Sequence, residues 1–187
     1  MKRNNPAYFW VATLATLVVL FSTLAASAET AAQIDRDVDS AIAKLYAESA
    51  AATELSKTAK GILVFPNVIK GGLIIGGQYG EGALRVGSEV AGYYSIAAAS
   101  YGLQAGAQSF GYAMFFMTEN ALAYLEESAG WEVGVGPSVV VVDEGLARSI
   151  STTTVTEDVY VFFFSQKGLM AGLGIQGSKI TKFDPEK

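Results

Sequence analysis

The chain has 187 residues, about half of them hydrophobic, and a formal net charge of −5. Its length fits one domain with a few additions, and its acidic balance is unlike the basic surplus of nucleic-acid-binding proteins, so we expect no nucleic-acid partner. The absence of cysteine and histidine excludes disulfides, Ser–His and Cys–His catalytic pairs, and zinc-type sites built from those ligands.

The N-terminus has the layout of a leader sequence. Lys2 and Arg3 are followed by an uncharged stretch over 4–28, which contains an apolar run at 9–21 and the small-residue motif Ala26-Ser-Ala28. This pattern predicts a signal peptide over 1–28, cleaved after Ala28. The protein would then be exported to the periplasm or cell envelope, peripheral to a membrane, with 11 basic and 18 acidic residues left. The alternative is an N-terminal membrane anchor that is not cleaved.

Residues 29–60 form a glycine-free segment that follows the leader. Apolar side chains recur there at spacings of three and four, as in Ile34, Val38, Ile42, Leu45 and Leu55. This spacing predicts an amphipathic N-terminal helix from Ile34 to Leu55. Its apolar stripe would either pack on the core of the domain or lie in a membrane interface.

Residues 61–187 contain all 20 glycines and form the predicted β core. Short apolar runs alternate with glycine, and Pro66 and the pair Gly76-Gly77 mark expected strand ends. Glycine within strands is typical of bends and bulges. We therefore predict an α+β fold, with a curved, mostly antiparallel sheet or small barrel, the N-terminal helix and one inserted helix.

The inserted helix is expected after Thr118, through Asn120 to Leu125, and Asp143-Glu-Gly145 is expected to be a turn. A final strand pair is predicted at 155–164 and 169–175, joined by a turn over Ser165-Gln-Lys-Gly168. Phe162 to Phe164 place aromatic rings on both faces of the first of these strands. Either both faces are buried, or one face meets a lipid or a partner.

The segment Gly172 to Gly177 matches the G-x-G-x-x-G fingerprint of dinucleotide sites. Such a site needs a following helix and a second parallel strand, and only ten residues remain after Gly177. Large and small residues alternate from Leu169 to Ile175, which favours a strand. We therefore predict no nucleotide and no other cofactor.

Several motifs together resemble one family. The sequence is similar to the SYLF domain, or Ysc84 actin-binding domain, over about 30–182. The motifs that carry the resemblance are Ala59-Lys-Gly-Ile-Leu-Val-Phe-Pro66, Ile74-Ile-Gly-Gly-Gln-Tyr-Gly-Glu-Gly82, Gly102-Leu-Gln-Ala-Gly-Ala-Gln108, Gly134-Val-Gly-Pro137 and Ser165-Gln-Lys-Gly-Leu-Met-Ala-Gly172. The resemblance implies binding of phosphoinositides or other membrane lipids, and of actin in some members, with no catalytic residues. Because the leader pattern predicts an exported bacterial protein, we do not expect actin as a partner. This sequence has Tyr93-Tyr94 where eukaryotic members have tryptophan and proline.

Four lysines are candidates for contacts with lipid phosphates: Lys57, Lys60, Lys70 and Lys167. Each could instead be an ordinary surface residue. Arg85, inside an apolar run, is expected to pair with Glu81 or Glu89. The paired carboxylates are sequence neighbours that point apart, so we predict no enzyme; the pairs are Glu126-Glu127, Asp143-Glu144 and Glu157-Asp158.

We therefore expect a non-enzymatic lipid-binding module of the bacterial envelope, which binds by apolar contact and a few lysines. The alternative is a structural envelope protein that self-associates, and a homo-oligomer is a possible state under either hypothesis.

Overall fold

The computed structural model describes residues 29–127, 131–132, 136–150, 155–169 and 178–186. The helices are α1 (Ala31–Glu48), α2 (Ala50–Ser56), α3 (Glu119–Glu127) and α4 (Glu144–Ser149). The strands are β1 (Gly61–Val86), β2 (Glu89–Phe116), β3 (Trp131–Glu132), β4 (Val139–Val141), β5 (Val159–Leu169) and β6 (Lys179–Phe183). The prediction of an α+β fold with a curled, mostly antiparallel sheet is confirmed.

The predicted N-terminal helix is divided in two at Ser49. The backbone of Ser49 is extended, with φ −135° and ψ 108°, and its hydroxyl accepts a hydrogen bond from the backbone N–H of Ala52. A serine that bonds an exposed N–H of the following turn is a favourable start for a new helix. Ser49 therefore ends α1 and caps α2, which the apolar periodicity alone could not show.

The first two strands are far longer than the short runs predicted from sequence. Pro66 and the glycine pair at 76–77 lie inside β1 rather than at its ends. A register shift between Phe65 and Val68 leaves Pro66 and Asn67 without Cα partners on β2. The bulge accommodates a residue that has no N–H to donate, and the strand continues beyond it.

The sheet is organised around β2. One edge of β2 pairs with β1 along almost its whole length, and the other edge pairs with β6 near its start and β5 near its end. β3 joins β6, and β4 joins β5 in the one parallel pairing among the described strands. The remaining pairings between the described strands are antiparallel.

β1 curls so strongly that its two arms approach each other. A Cβ atom at Gly82 would overlap the carbonyl oxygen of Val64. A Cβ atom at Gly80 would lie 3.0 Å from the carbonyl oxygen of Asn67. Only a residue without a Cβ atom permits such close approach of two backbone segments. These glycines therefore let the sheet wrap around its inner face.

Each face of the sheet carries its own apolar cluster. The inner cluster includes Tyr112, Phe116 and Trp131, and the Phe116 and Trp131 rings meet edge-on with centroids 5.4 Å apart. The outer cluster joins the sheet to α1 and α2 through side chains such as Val38, Leu55 and Phe115. Because both faces are covered, β1 and β2 carry apolar residues at consecutive positions rather than in strict alternation.

Burial resolves two alternatives left open by the sequence. Ile34, Val38 and Leu45 of α1 are each at most 2% exposed, so the apolar stripe packs on the sheet and is not free to enter a membrane. Phe162 and Phe164 belong to the outer cluster, and Phe163 packs against the inner one. The three aromatic rings are therefore core residues on opposite faces of β5.

The C-terminal half corrects two further predictions. Thr118 accepts a hydrogen bond from Ala121 N–H and so caps α3 as expected, but Asp143 caps a second short helix, α4, rather than forming a simple turn. The segment 165–168 lies within β5, where two residues oppose one at a bulge between Ser109 and Gly111 of β2. The predicted strand at 169–175 and the G-x-G-x-x-G segment lie almost wholly outside the described residues.

Candidate functional site

Two of the four predicted lysines already have acidic partners. The Nζ atom of Lys57 lies 2.5 Å from Glu54 Oε2, and that of Lys60 lies 3.3 Å from Glu119 Oε1. Both lysines are exposed, so these ion pairs are weak and leave the charges accessible. They lie at the junction between α2 and β1.

Lys70 is placed differently from the other lysines, on the inner face of the sheet. Its side chain is only 4% exposed, and its cross-strand neighbour is the buried Gln108. Lys70 lies ten positions after Lys60 along the chain, which corresponds to roughly 30 Å of extended chain before curvature. The structure therefore does not gather the lysines at 57, 60 and 70 into one patch.

Lys167 lies on the outer face, in a row of three cross-strand neighbours. Ile69 of β1 pairs with Ser109 of β2, which pairs with Lys167 of β5. This row continues the outer face of the sheet beyond the part covered by α1. It forms one wall of a cleft of about 640 Å³.

The opposite wall of the cleft is α1. Asp37, Ser40, Ala41 and Lys44 line it, at spacings that place them along one side of the helix. Lys44 and Lys167 therefore share the cleft, and among the described ion pairs neither has an acidic partner. Two ammonium groups in one cleft can attract a phosphate or another anion.

Two large apolar side chains at the cleft are open to solvent. Ile69 is 59% exposed and Tyr79 is 48% exposed, in contrast to the buried aromatic rings elsewhere in the sheet. The Tyr79 hydroxyl donates a hydrogen bond of 2.5 Å to Glu81 Oε1. Burial, together with this bond and the nearby negative charge, raises the pKa of Tyr79 to about 12.

Ser165 adds backbone strain to the same cleft. Its φ is +54°, the only positive value among the described residues other than glycine. Its hydroxyl is buried and has no hydrogen-bond partner in the described part of the chain. Strained backbone and unsatisfied polar atoms are both costly, and they occur often at binding sites.

Three carboxylates line the cleft as well. They belong to Glu29, Asp37 and Glu81. Burial raises the pKa of Glu29, and the nearby negative charges of Asp37 and Glu81 raise it further. No group of acidic residues in the described ranges has the arrangement of a metal site. The cleft thus combines cations, acids and apolar side chains.

Sequence reasoning identified Lys167 but missed Lys44, Ile69, Tyr79 and Ser165. The spacing of Asp37, Ser40 and Lys44 was available, but it looked like the ordinary solvent side of an amphipathic helix. The position of Ile69 on the outer face depends on the bulge after Phe65, because the bulge determines which of the following side chains point outward. That register could not be read from the sequence.

Arg85 was expected to pair with Glu81 or Glu89, and the structure assigns it other partners. Its Nη2 atom lies 2.7 Å from Asp39 Oδ1 and 3.6 Å from Asp35 Oδ1. These contacts tie α1 to the sheet.

None of the helices in the described part of the chain combines the length and the apolar character that crossing a membrane would require.

Comparison with protein families gives a match in the C-terminal half of the chain. Residues 97–186 match the Ysc84 family, described as Las17-binding protein actin regulator. The match confirms the resemblance to the SYLF, or Ysc84, family. The matched range begins within β2, so it leaves out both N-terminal helices and β1. No curated protein matches the chain.

Proposed function

We propose that this chain, whose residues 97–186 match the Ysc84 family, is a non-enzymatic lipid-binding module. The family description is that of a binding protein, which supports a binding function in general. The observation that carries the lipid proposal is the placement of Lys44 and Lys167, which have no ion pair among the described residues, in one cleft beside the exposed Ile69 and Tyr79.

The chemistry of the cleft supports an amphipathic ligand. A phospholipid carries an anionic phosphate next to an apolar body, and each lysine near an anionic lipid surface contributes about 1 kcal/mol. Ile69 and Tyr79 gain by leaving water when they meet acyl chains. Because the net charge of the chain is −5, binding depends on this local arrangement rather than on overall attraction.

Location is a further part of the proposal. The leader pattern over 1–28 supports export, which would place the cleft at the surface of a membrane in the cell envelope. The ligand would be a phospholipid with an anionic, phosphoinositide-like headgroup.

The test is co-sedimentation of residues 29–187 with vesicles of phosphatidylcholine and phosphatidylglycerol at low salt. The double variant Lys44→Gln/Lys167→Gln should bind about 30-fold more weakly, which corresponds to two lost lysine contacts. The matched control is Lys57→Gln/Lys60→Gln, which makes the same change in net charge at exposed, ion-paired positions. This control should stay within about two-fold of the unaltered protein.

Equal losses in the two double variants would show that net charge alone governs binding, and would rule out the cleft. Absence of vesicle binding by the unaltered protein would reject the lipid proposal altogether. A single variant, Lys70→Met, tests the remaining predicted lysine. Because Lys70 is buried on the inner face, we expect it to change stability more than vesicle binding.

Self-association is the second candidate. Among the described strands β1, with 26 residues, pairs only with β2 and leaves a long edge at which another molecule could pair, whereas β3 and β4, at the two ends of the sheet order, have only two and three residues. Val141 of β4 is nevertheless 43% exposed. Light scattering separates the two candidates, because a monomer that binds vesicles supports the lipid proposal alone.

A further inference from the structure

Lys44 and Lys167 line the same cleft as three carboxylates, but neither lysine forms an ion pair with them among the described residues. Glu29, Asp37 and Glu81 lie together, and the negative charges of Asp37 and Glu81 raise the pKa of Glu29 in addition to its burial. None of the three carboxylates takes part in an ion pair among the described residues. Such a cluster of like charges is unfavourable unless a positive group lies near it.

One atom of the chain lies where that positive group is needed. The backbone nitrogen of Glu29 is 3.4 Å from Oε2 of Glu81. The other oxygen of the same carboxylate accepts the Tyr79 hydroxyl bond, which fixes the carboxylate and leaves Oε2 directed at Glu29. In an uncut chain this nitrogen is a neutral amide with one proton to donate.

The position of Glu29 is set by contacts on its C-terminal side. The next residue, Thr30, forms a β-bridge with Glu186, and Ala31 N–H donates a bond of 3.1 Å to the Glu186 carbonyl. Thr30 also caps α1 through its hydroxyl. Residues before 29 are therefore not required to hold this nitrogen beside Glu81.

The sequence predicts cleavage immediately before this nitrogen, after Ala26-Ser-Ala28. We propose that cleavage converts Glu29 into the N-terminal residue and that its new ammonium group forms an ion pair with Glu81 in the cleft. Hydrolysis breaks the bond between the Ala28 carbonyl carbon and the Glu29 nitrogen. Water supplies the hydroxyl to Ala28 and a proton to the nitrogen, which takes a further proton from solvent.

The ammonium brings one positive charge and three donors to a site that holds three carboxylates. Removal of the leader would thus stabilise the exported form over the uncut chain. The proposal does not depend on lipid binding, since it concerns only the charges of the protein.

The first experiment compares residues 29–187 with a free N-terminus and the same chain acetylated at Glu29, each with Glu81 or with Glu81→Gln. Acetylation restores a neutral amide, as in the uncut chain. We expect it to lower the melting temperature by about 1–4 °C when Glu81 is present, and to have little effect in Glu81→Gln. The exposed Glu89→Gln serves as the control and should keep the full effect of acetylation.

An equal effect of acetylation in the Glu81 and Glu81→Gln chains would overturn the ion pair. A second experiment expresses the full chain in a bacterial host and determines the N-terminus of the exported protein by mass spectrometry. A mass that begins at Glu29 supports the proposal, and a retained leader or a different first residue overturns it. Neither measurement uses vesicles, so failure here is distinct from failure of the lipid proposal.

Discussion

The Nη2 atom of Arg85 lies 2.7 Å from Oδ1 of Asp39, and this contact joins the end of β1 to the middle of α1. The same nitrogen donates a bond of 3.3 Å to the Asp35 carbonyl, while the Tyr93 hydroxyl donates one of 3.2 Å to Asp35 Oδ2. The Arg85 side chain is only 13% exposed. Helix α1 is therefore held to the sheet by a polar clamp as well as by its apolar stripe.

Replacing Arg85 with alanine should lower the free energy of unfolding by about 1–2 kcal/mol, because Asp35, which lies beside the core, loses its contacts with the guanidinium group. Asp39→Asn should cost less, since Asp39 is 69% exposed and its ion pair is partly screened by water. Urea unfolding measures both values. Equal losses in the two variants would contradict this prediction, which depends on the unequal burial of the Arg85 and Asp39 side chains.

Asp158 is expected to make stability depend on pH. Hydrogen bonds from the Ser138 backbone N–H and the Thr118 hydroxyl lower the pKa of Asp158 below its ordinary value of 3.8. A carboxylate with a lowered pKa stabilises the fold fully above the pKa of the unfolded chain, and this contribution is lost as pH falls through the lower pKa of the folded state.

Asp158→Asn should therefore destabilise the protein at pH 7, and its difference from the unaltered protein should shrink at acid pH, below about 4. Denaturant unfolding at both pH values measures this change. Glu157→Gln, at the neighbouring position, is the control. If the difference in the free energy of unfolding is constant with pH, Asp158 contributes to stability through its packing rather than its charge.

Gly82→Ala tests the curl of β1. An added methyl group would overlap the Val64 carbonyl and approach the Phe65 ring to 2.9 Å, so the variant should lose about 3 kcal/mol. The control is Gly71→Ala in the same strand, where the nearest atom, the Gly106 carbonyl oxygen, is 3.8 Å away. This variant should be neutral or slightly more stable. Thermal unfolding of both variants measures the two changes in stability. A loss confined to Gly82→Ala would show that the close backbone approach at Gly82 requires glycine.

Ser165→Gly should relieve strain in the cleft. Glycine adopts the left-handed conformation at no steric cost, so the variant should gain about 0.5–1 kcal/mol despite the greater freedom of its unfolded chain. If the Ser165 hydroxyl contacts a headgroup, the more stable variant should bind anionic vesicles more weakly. Ser109→Gly, across the strand pair and without a positive φ, should be less stable.

The sequence predicted the division into a helical segment and a glycine-rich sheet because apolar periodicity and glycine content are local signals. The sequence-based prediction was wrong where the same residue types occur both in turns and in bulges within strands. Pro66 and the segment Ser165 to Gly168 have the composition of turns, yet both lie in bulges within long strands. Whether such residues end a strand or only shift its register depends on the partner strand, which local sequence does not contain.

The candidate site was predicted only in part for a similar reason. Lys167 was identified from its motif, but its neighbours Ser109 and Ile69 come from two other strands, and Lys44 comes from a helix. Their meeting depends on the register set by the bulges. Lys70, by contrast, is near Lys57 and Lys60 in sequence but lies apart from them, buried on the inner face of the sheet.

The curl of β1 also bears on the speed of folding. Its arms meet through Gly80 with Asn67, Gly82 with Val64, and Gly61 with Arg85, positions 13 to 24 residues apart. Closing loops of this length costs little chain entropy compared with pairing the ends of the molecule. The hairpin of β1 and β2 can therefore curl before β5 and β6 dock, and we expect the distant bridge between Thr30 and Glu186 to form in the final steps. Variants at the curl should slow folding itself, whereas variants at that bridge should mainly accelerate unfolding.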